Sequence, residues 1–271
     1  MSCLEVGGEE ENKMKTIVVA NSKGGSGKTT TAFNLAHDLA KMGKKVLLVD
    51  FDPQSSLTNC FKIELPQTQT YIEDLISKEG YGKLSILSAI IQPNPEIENL
   101  FLVPTSGALA NLEGELKGIT GLPKLREVLK GTFNQNFDAV IIDPPGSTDV
   151  FMSIALMAAD EVLIPARPTD TDINTLSEFV PFIKEHMAFN PNLKLRGILL
   201  NQTQNSSKNA EFYLDQLKSL GFKDLILNTQ IRSAVDAANS VAYGKSVSEY
   251  KSKSQVAKDF EKLAKEVSKW L

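Results

Sequence analysis

The sequence is poor in the residues that build disulfide scaffolds and in the apolar runs that build membrane spans. Two cysteines, Cys3 and Cys60, stand among 271 residues; they are too few for a disulfide framework and match no metal-ligand spacing. No apolar run approaches the roughly 20 residues that cross a bilayer, and the first residues lack the apolar core of a signal peptide. We therefore expect a cytoplasmic protein without disulfides or membrane spans.

The composition supplies enough apolar residues for a sizeable core, with 42% apolar and 23% charged residues. Its charge is unevenly placed. Residues 182–271 hold 14 basic and 9 acidic side chains, whereas the remaining residues hold 15 and 24. A basic C-terminal third is either a weak sign of a polyanionic partner or only the solvated face of exposed helices.

Short apolar runs rich in β-branched residues alternate with segments of helical period along the chain. The runs are residues 15–20, 46–50, 99–104, 137–143, 161–166, 196–201 and 225–231. Nearly continuous apolar strands are typical of parallel strands buried between two helical layers. The pattern predicts an α/β fold, a doubly wound and mostly parallel twisted sheet with helices on both faces. We expect a disordered leader at 1–13 and a single domain at 14–271.

A glycine-rich loop, NSKGGSGKTTT at residues 21–31, directly follows the first predicted strand. Its glycines are Gly24, Gly25 and Gly27. They allow backbone conformations in which successive N–H groups point at phosphate oxygens, and the following helix adds its positive N-terminus. Lys28 can reach the β- and γ-phosphates, and the Thr29 hydroxyl can ligate Mg²⁺. Strand, loop and helix together predict a P-loop nucleotide site.

A second lysine, Lys23, begins the loop, where an ordinary P-loop needs none. A further cation there is costly unless more negative charge arrives than Lys28 and Mg²⁺ neutralise. One use for it lies across a dimer, on the phosphates bound by a partner chain. The alternative is that Lys23 faces water.

Carboxylates follow two other predicted strands. Asp50 and Asp52 end VLLVDFD, and because they are two residues apart on an extended chain, both can point at one site. One can support Mg²⁺ while the other orients water. Asp143 ends FDAVIID in the Walker B pattern and precedes a Pro-Pro-Gly turn, whose Gly146 N–H could sense the γ-phosphate. Helix capping or a turn is the alternative role for each carboxylate.

These segments resemble the ParA/MinD family of deviant-Walker ATPases, most closely its small ParA-type partitioning members. The matching segments are KGGSGKTTT (23–31), VLLVDFDPQSSLT (46–58), LVPTSGALANLEGEL (102–116), FDAVIIDPPGS (137–147) and GKSVSEY (244–250). The likeness runs from about residue 15 to the C-terminus. It implies the P-loop NTPase fold, with ATP and Mg²⁺ as cofactors.

The resemblance also implies roles for individual residues. It implies an ATP-sandwich homodimer in which Lys23 crosses to the partner's phosphates, and it gives Lys23, Lys28 and Asp52 as the catalytic residues. Asp50, Asp143 and Thr29 would support Mg²⁺. The nucleotide-binding residues would be Lys23, Gly24, Gly25, Ser26, Gly27, Lys28, Thr29, Thr30 and, at the adenine, Asn201. For Asn201, capping of its strand end is the alternative.

The family likeness further implies non-specific binding to double-stranded DNA, a nucleoid location, and slow ATP hydrolysis stimulated by a ParB-like partner during chromosome or plasmid partitioning. Candidate DNA contacts are Arg232, Lys245, Lys251 and Lys253. The segment 229–246 departs from the family, because it lacks a proline after the strand and has Asp236 near a usually basic position. This departure leaves room for a relative that positions a protein cargo on the nucleoid.

Two other functions compete with partitioning. A MinD-like regulator of cell division would cycle on membranes through a basic amphipathic C-terminal helix. The final segment, 256–271, is amphipathic, but that period is more typical of a helix packed on the sheet, so no stable membrane association is expected. A metabolic relative of the nitrogenase iron protein would need ligand cysteines that are absent, and the P-loop amide ligases lack the lysine at the loop's start.

Overall fold

Seven parallel strands form one sheet in the order β3-β2-β4-β1-β5-β6-β7. They are β1 (Lys15–Val19), β2 (Val46–Asp50), β3 (Leu100–Val103), β4 (Ala139–Asp143), β5 (Glu161–Ala166), β6 (Lys194–Thr203) and β7 (Ile226–Arg232). The structure, a computed structural model, describes residues 14–132, 135–204 and 207–271, without the side chains of 207–210. The predicted doubly wound parallel sheet is confirmed, whereas the leader predicted at 1–13 lies outside the described residues.

Helices connect the strands and cover both faces of the sheet. They are α1 (Lys28–Lys41), α2 (Ser56–Cys60), α3 (Ile72–Ile76), α4 (Glu113–Leu116), α5 (Lys124–Lys130), α6 (Val150–Ala158), α7 (Asp170–Phe189), α8 (Ser207–Ser219), α9 (Val235–Ala242), α10 (Val247–Tyr250) and α11 (Gln255–Val267). Crossovers of this kind are what parallel strands require.

The core is divided by the sheet into two apolar layers. Successive strand residues alternate between them, so that Ile17 and Val19 of β1 join one layer while Val18 joins the other. The first layer lies under α1 and α11, and the second lies under α5, α6 and α7. Strands apolar on both sides are therefore buried on both sides, as the continuous apolar runs indicated.

The last helix, α11, packs inside the first of these layers. It lies against α1 and β7, and its apolar side chains are buried: Val256, Phe260, Leu263 and Val267. The amphipathic period of the C-terminal segment is thus accounted for by packing on the sheet. No helix in the described parts of the chain combines the length and apolar character needed to cross a bilayer.

The strand order reverses around β1, which lies between β4 and β5. From β1 the chain moves outward to β2 and β3 on one side, returns at β4, and then continues through β5 to β7 on the other. In open α/β sheets, ligands bind beyond the carboxyl ends of the strands at such a reversal. The segments leaving β1, β2, β4 and β5 all begin at this edge.

Candidate functional site

The glycine-rich loop is anchored at its start by the side chain of Asn21. This buried amide donates to the carbonyl of Pro165 in β5 (2.8 Å) and accepts from the Lys23 backbone N–H (2.9 Å). Gly25 and Gly27 have φ angles of 74° and 90°, the left-handed region that favours glycine. Gly27 is the N-cap residue of α1. It has no side chain that could accept a hydrogen bond from the backbone N–H groups of the first helical turn. These groups are free to bind an anion.

Asn201, at the carboxyl end of β6, braces the same loop. Its amide Nδ2 donates to the backbone carbonyl of Ser26 (2.9 Å) and is buried. A Cβ at Gly27 would collide with this amide, which explains why the loop has glycine there. Sequence reasoning expected Asn201 at adenine or at a strand end; the structure places it against the phosphate loop, and adenine contact stays a prediction.

Lys28 lies in a buried position beside the carboxylates. Burial lowers the pKa of its ammonium, while the nearby charges of Asp143 and Asp52 oppose that shift. Gly146, in the turn after β4, packs directly on it: a Cβ at Gly146 would lie 2.7 Å from the Lys28 Nζ and 3.3 Å from the Gly24 backbone N. The turn after β4 therefore closes against both the loop and its lysine.

Asp50 and Asp143 are neighbours on adjacent strands, with their Cα atoms paired in the sheet register. Asp50 accepts from the backbone N–H and the hydroxyl of Thr58, both at 2.7 Å, yet burial raises its pKa to about 7. Burial and the charge of Asp50 hold the pKa of Asp143 well above its ordinary value. Within the described chain, neither oxygen of Asp143 has a well-formed hydrogen bond, although the Thr29 hydroxyl faces it.

Asp52 lies in a more open position two residues further along. Its Oδ1 accepts from the backbone N–H of Gln54 (2.9 Å), and its own N–H donates to Asp50 (3.3 Å). The carboxylate is close enough to Lys28 to act on that ammonium's pKa. The loop residues, Asp50, Asp52 and Asp143 thus meet at one edge, as expected for residues that follow parallel strands.

The side chain of Lys23 is partly buried and forms an ion pair within its own chain. Its Nζ forms a 2.5 Å ion pair with Asp172 in the first turn of α7, and the Asp172 side chain is fully buried. Arg167 binds the same carboxylate, and its guanidinium lies next to Gly25 of the loop. Sequence reasoning did not consider these two residues. The sequence indicates only that RPTDTD directly follows β5, as the other candidates follow their strands, and gives no sign of the contact with Lys23.

A cleft of about 260 Å³ opens beside the loop at the carboxyl ends of β5 to β7. Its lining combines polar and apolar surface in similar amounts, from Arg167, Pro168, Thr169, Gln202, Gln204, Tyr213 and Ser233. Gln202, next to Asn201, has a left-handed φ of 54°. Arg167, whose guanidinium lies next to Gly25, joins this cleft to the loop.

The candidate DNA contacts are unequally available. Arg232 donates to Asp259 through Nε (2.6 Å) and Nη2 (3.0 Å), and Lys251 pairs with Asp236 (3.1 Å). In the part of the chain that the structure describes, Lys245 and Lys253 are exposed and form no ion pair. Of the four candidate DNA contacts, Lys245 and Lys253 are therefore the two whose charge is not engaged in an ion pair among the described residues.

Parallel sheet, glycine loop on a helix N-terminus, buried lysine and strand-end carboxylates together define a P-loop nucleoside-triphosphate-binding protein. A family model described as an AAA domain matches residues 14–195.

The chain is 31% identical to the chromosome-partitioning ATPase Soj of Treponema pallidum, over 93% of this chain and 96% of the relative. It is 30% identical to the chromosome partitioning protein ParA of Caulobacter vibrioides, over 94% of each.

Solved structures show the same fold. Apo McdA of Cyanothece superposes with a TM-score of 0.80 at 27% identity, covering 93% of this chain and 99% of that one. A cobyrinic acid a,c-diamide synthase of Mycobacterium smegmatis, bound to an ATP analogue and magnesium, gives 0.77 at 25% identity, covering 93% of each. The chain belongs to the ParA/MinD family of P-loop ATPases. It is an ATP hydrolase of this family.

Proposed function

We propose that this chain is a ParA-like switch that dimerises on ATP, binds DNA without sequence preference and drives chromosome or plasmid partitioning. The observation that carries the proposal is that two lysines of one loop lie in different environments. Lys28 is buried among its own chain's carboxylates, whereas Lys23 points out of that cluster. A second lysine outside the local site is what a triphosphate shared between two chains requires.

Magnesium fits the carboxylate edge of this site. Asp143 supplies buried oxygens without well-formed partners, and the Thr29 hydroxyl faces them. This ion is usually held by one or two carboxylates plus substrate phosphates, and Asp143 with the Thr29 hydroxyl would provide the protein's share of such a site. When bound, Mg²⁺ neutralises charge that develops between the β- and γ-phosphates. Asp50, held by Thr58, would support Asp143 from the adjacent strand.

Hydrolysis would then use groups of the chain that binds the nucleotide, together with the Lys23 ammonium of the second copy. The backbone N–H groups of the loop and the Lys28 ammonium hold the β- and γ-phosphates. Asp52, in the open position beside Lys28, orients the attacking water. Gly146 packs against Lys28, so a movement of Lys28 when the γ-phosphate leaves would be transmitted to the turn after β4. Few groups activate the water, so turnover is slow without a partner.

The proposed DNA binding depends on dimerisation, because a dimer carries twice as many exposed lysines as one chain. One chain offers Lys245 and Lys253 without ion pairs, whereas an ATP dimer offers both sets on one body. Affinity for a polyanion rises steeply with the number of phosphates neutralised. Arg232 is committed to Asp259, so it contributes only if that pair opens.

The names of the relatives support partitioning as the process, since both are named for chromosome partitioning. By the same likeness, the switch would be reset by a ParB-like partner that stimulates hydrolysis. Positioning of a protein cargo on the nucleoid is the second candidate, and the observation in its favour is the paired state of Arg232 and Lys251. Both candidates share the ATP dimer and the nucleoid location.

The direct test is a gel shift of non-specific DNA with the Asp52→Ala variant, which should bind ATP and hydrolyse it poorly. We expect a shift with ATP and Mg²⁺, none with ADP or without nucleotide, and a loss of affinity of about tenfold or more between 50 and 200 mM salt. Nucleotide-independent binding, or no binding, would contradict the proposal. Sedimentation of the ATP form with anionic lipid vesicles, in place of DNA, would indicate a MinD-like cycle instead.

A further inference from the structure

The buried carboxylate of Asp172 is the centre of a polar cluster outside the phosphate site. It accepts from Lys23 Nζ (2.5 Å), from the Thr169 hydroxyl (2.6 Å), and from Nε, Nη2 and the backbone N–H of Arg167 (3.3, 3.3 and 3.2 Å). Burial by itself raises the pKa of Asp172, but the hydrogen bonds from Lys23, Thr169 and Arg167 outweigh it, and the pKa lies below its ordinary value. The carboxylate is therefore a charged anchor in the folded chain.

We propose that Asp172 is an intrachain latch for Lys23, which holds this lysine on its own chain until the triphosphate of a second copy replaces the carboxylate. This inference rests on the proposed ATP dimer and adds to it a barrier built into the monomer. Asp172 is a positioning residue, because it acts through Lys23 and lies outside the site that holds the phosphates.

The cluster is built so that Lys23 can leave. Removing one partner from a buried ion pair is costly when the other charge stays uncompensated. Here Arg167 and Thr169 remain on the carboxylate after Lys23 departs, so the charge of Asp172 keeps a donor on each oxygen. Lys23 is also the more exposed partner, with 23% of its side chain accessible against 0% for Asp172. Arg167 thus lowers the free-energy cost of releasing Lys23 from Asp172.

The latch sets the threshold for dimerisation. Each chain must exchange its Lys23–Asp172 pair for a contact with the partner's phosphates, so the dimer is stabilised only by the difference between these two interactions. A triphosphate carries more negative charge than one carboxylate and can win that exchange. A diphosphate offers less, and the lysine returns to Asp172. The pair therefore favours the monomer whenever ATP is absent.

Two substitutions at the cluster should act in opposite directions. In the Asp52→Ala background with ATP and Mg²⁺, Asp172→Asn should lower the protein concentration at half-dimerisation by about fivefold or more. Arg167→Gln should raise it, since Asp172 would then be left with fewer donors when Lys23 leaves. ATP affinity, measured separately at low protein concentration, corrects for any loss of nucleotide binding. Shifts in the same direction, or no shift, would overturn the latch.

A second measurement needs no dimer. In the nucleotide-free protein, acetylation of Lys23 by an amine-reactive acetyl ester, followed by mass spectrometry, should be several-fold faster in Asp172→Asn than in the wild type. Acetylation of the exposed Lys245 serves as the internal control. Equal rates at Lys23 would overturn the latch even if dimers form. If the parent protein stays monomeric with ATP while this rate still rises, the proposed function fails and the intrachain contact stands.

Discussion

Individual side chains at the nucleotide site are ionisable, buried and, among the described residues, incompletely hydrogen-bonded, which is unusual in a folded protein. Lys28 is only 7% exposed, and Asp143 is fully buried. Burial alone disfavours both charges, as the lowered pKa of Lys28 and the raised pKa of Asp143 indicate. Buried ionisable groups that destabilise the unliganded protein are typical of a site that is arranged to bind a charged ligand.

The contact between Gly146 and Lys28 gives a prediction about nucleotide affinity. A Cβ at Gly146 would lie 2.7 Å from the Lys28 Nζ, the mobile end of a long side chain, so Gly146→Ala should displace the lysine and leave the fold intact. We expect the Kd for ATP, measured by calorimetry, to rise about tenfold, or about 1.4 kcal/mol. The matched control is Gly114→Ala in α4, where a Cβ meets nothing within 4 Å. Unchanged ATP affinity in Gly146→Ala would contradict the role assigned to this contact.

Residues that follow strands could be predicted from the sequence, because their position depends only on chain order. Asp50, Asp52 and Asp143 were placed at one edge by this reasoning, and the structure brings them together there. Asp172 was missed, since its importance depends on Lys23 lying 149 residues away in sequence but within 2.5 Å in space. Such a contact depends on the order of strands, and local pattern carries no information about β1 pairing with β5.

Secondary-structure elements were predictable where burial imposes a pattern. All seven strands appear near their predicted positions, although β6 runs from Lys194 to Thr203, longer than the predicted 196–201. Short helices such as α2 and α10 were not predicted, because four or five residues show no helical period. The long α1 begins at Lys28 and ends at Lys41, and Gly43, with a φ of 87°, has the left-handed backbone that commonly follows a helix end.

The four-residue helix α10 is held on α1 by buried polar contacts. Asn34 of α1 accepts from the backbone N–H of Val247 (2.8 Å), and His37 faces Glu249 with its Nε2 3.4 Å from the carboxylate. The Nδ1 of His37 lies 2.7 Å from the Phe33 carbonyl. A helix too short to be stable alone is thus fixed by tertiary contacts.

His37 should make stability depend on pH. Burial lowers its pKa to about 4, although Glu249 and the Phe33 carbonyl oppose that shift and Lys41 adds to it. Between about pH 6.5 and pH 4 the unfolded chain binds a proton that the folded chain does not, so stability falls as the pH falls. In denaturant titrations, the free energy of unfolding should fall by up to about 1.4 kcal/mol per pH unit more in the wild type than in His37→Asn.

The other histidine provides the matched control for this titration. His186 makes the same contact with a carbonyl four residues earlier, Phe182, but is only partly buried. His186→Asn should keep the wild-type slope. Groups whose pKa does not depend on His37, such as Asp38, whose pKa burial raises to about 6, cancel in the comparison, whereas Glu249 titrates together with His37. If the free energy of unfolding of His37→Asn falls with pH as steeply as that of the wild type, His37 does not cause the loss of stability at acid pH.

The molecule combines a parallel sheet with a loop whose two lysines have different roles in the proposed cycle. In that proposal Lys28 would stay in its own site, and Lys23 would exchange the Asp172 carboxylate for the triphosphate of a second copy. The free energy that drives the switch would then be the difference between these two interactions of Lys23.

The molar mass in solution tests this account most directly. Light scattering after size exclusion should give the Asp52→Ala variant twice the chain mass of 29.6 kDa with ATP and Mg²⁺, and the single mass with ADP. The further substitution Lys23→Gln should restore the single mass with ATP while leaving nucleotide bound. A single mass for Asp52→Ala under saturating ATP and Mg²⁺ would contradict the account.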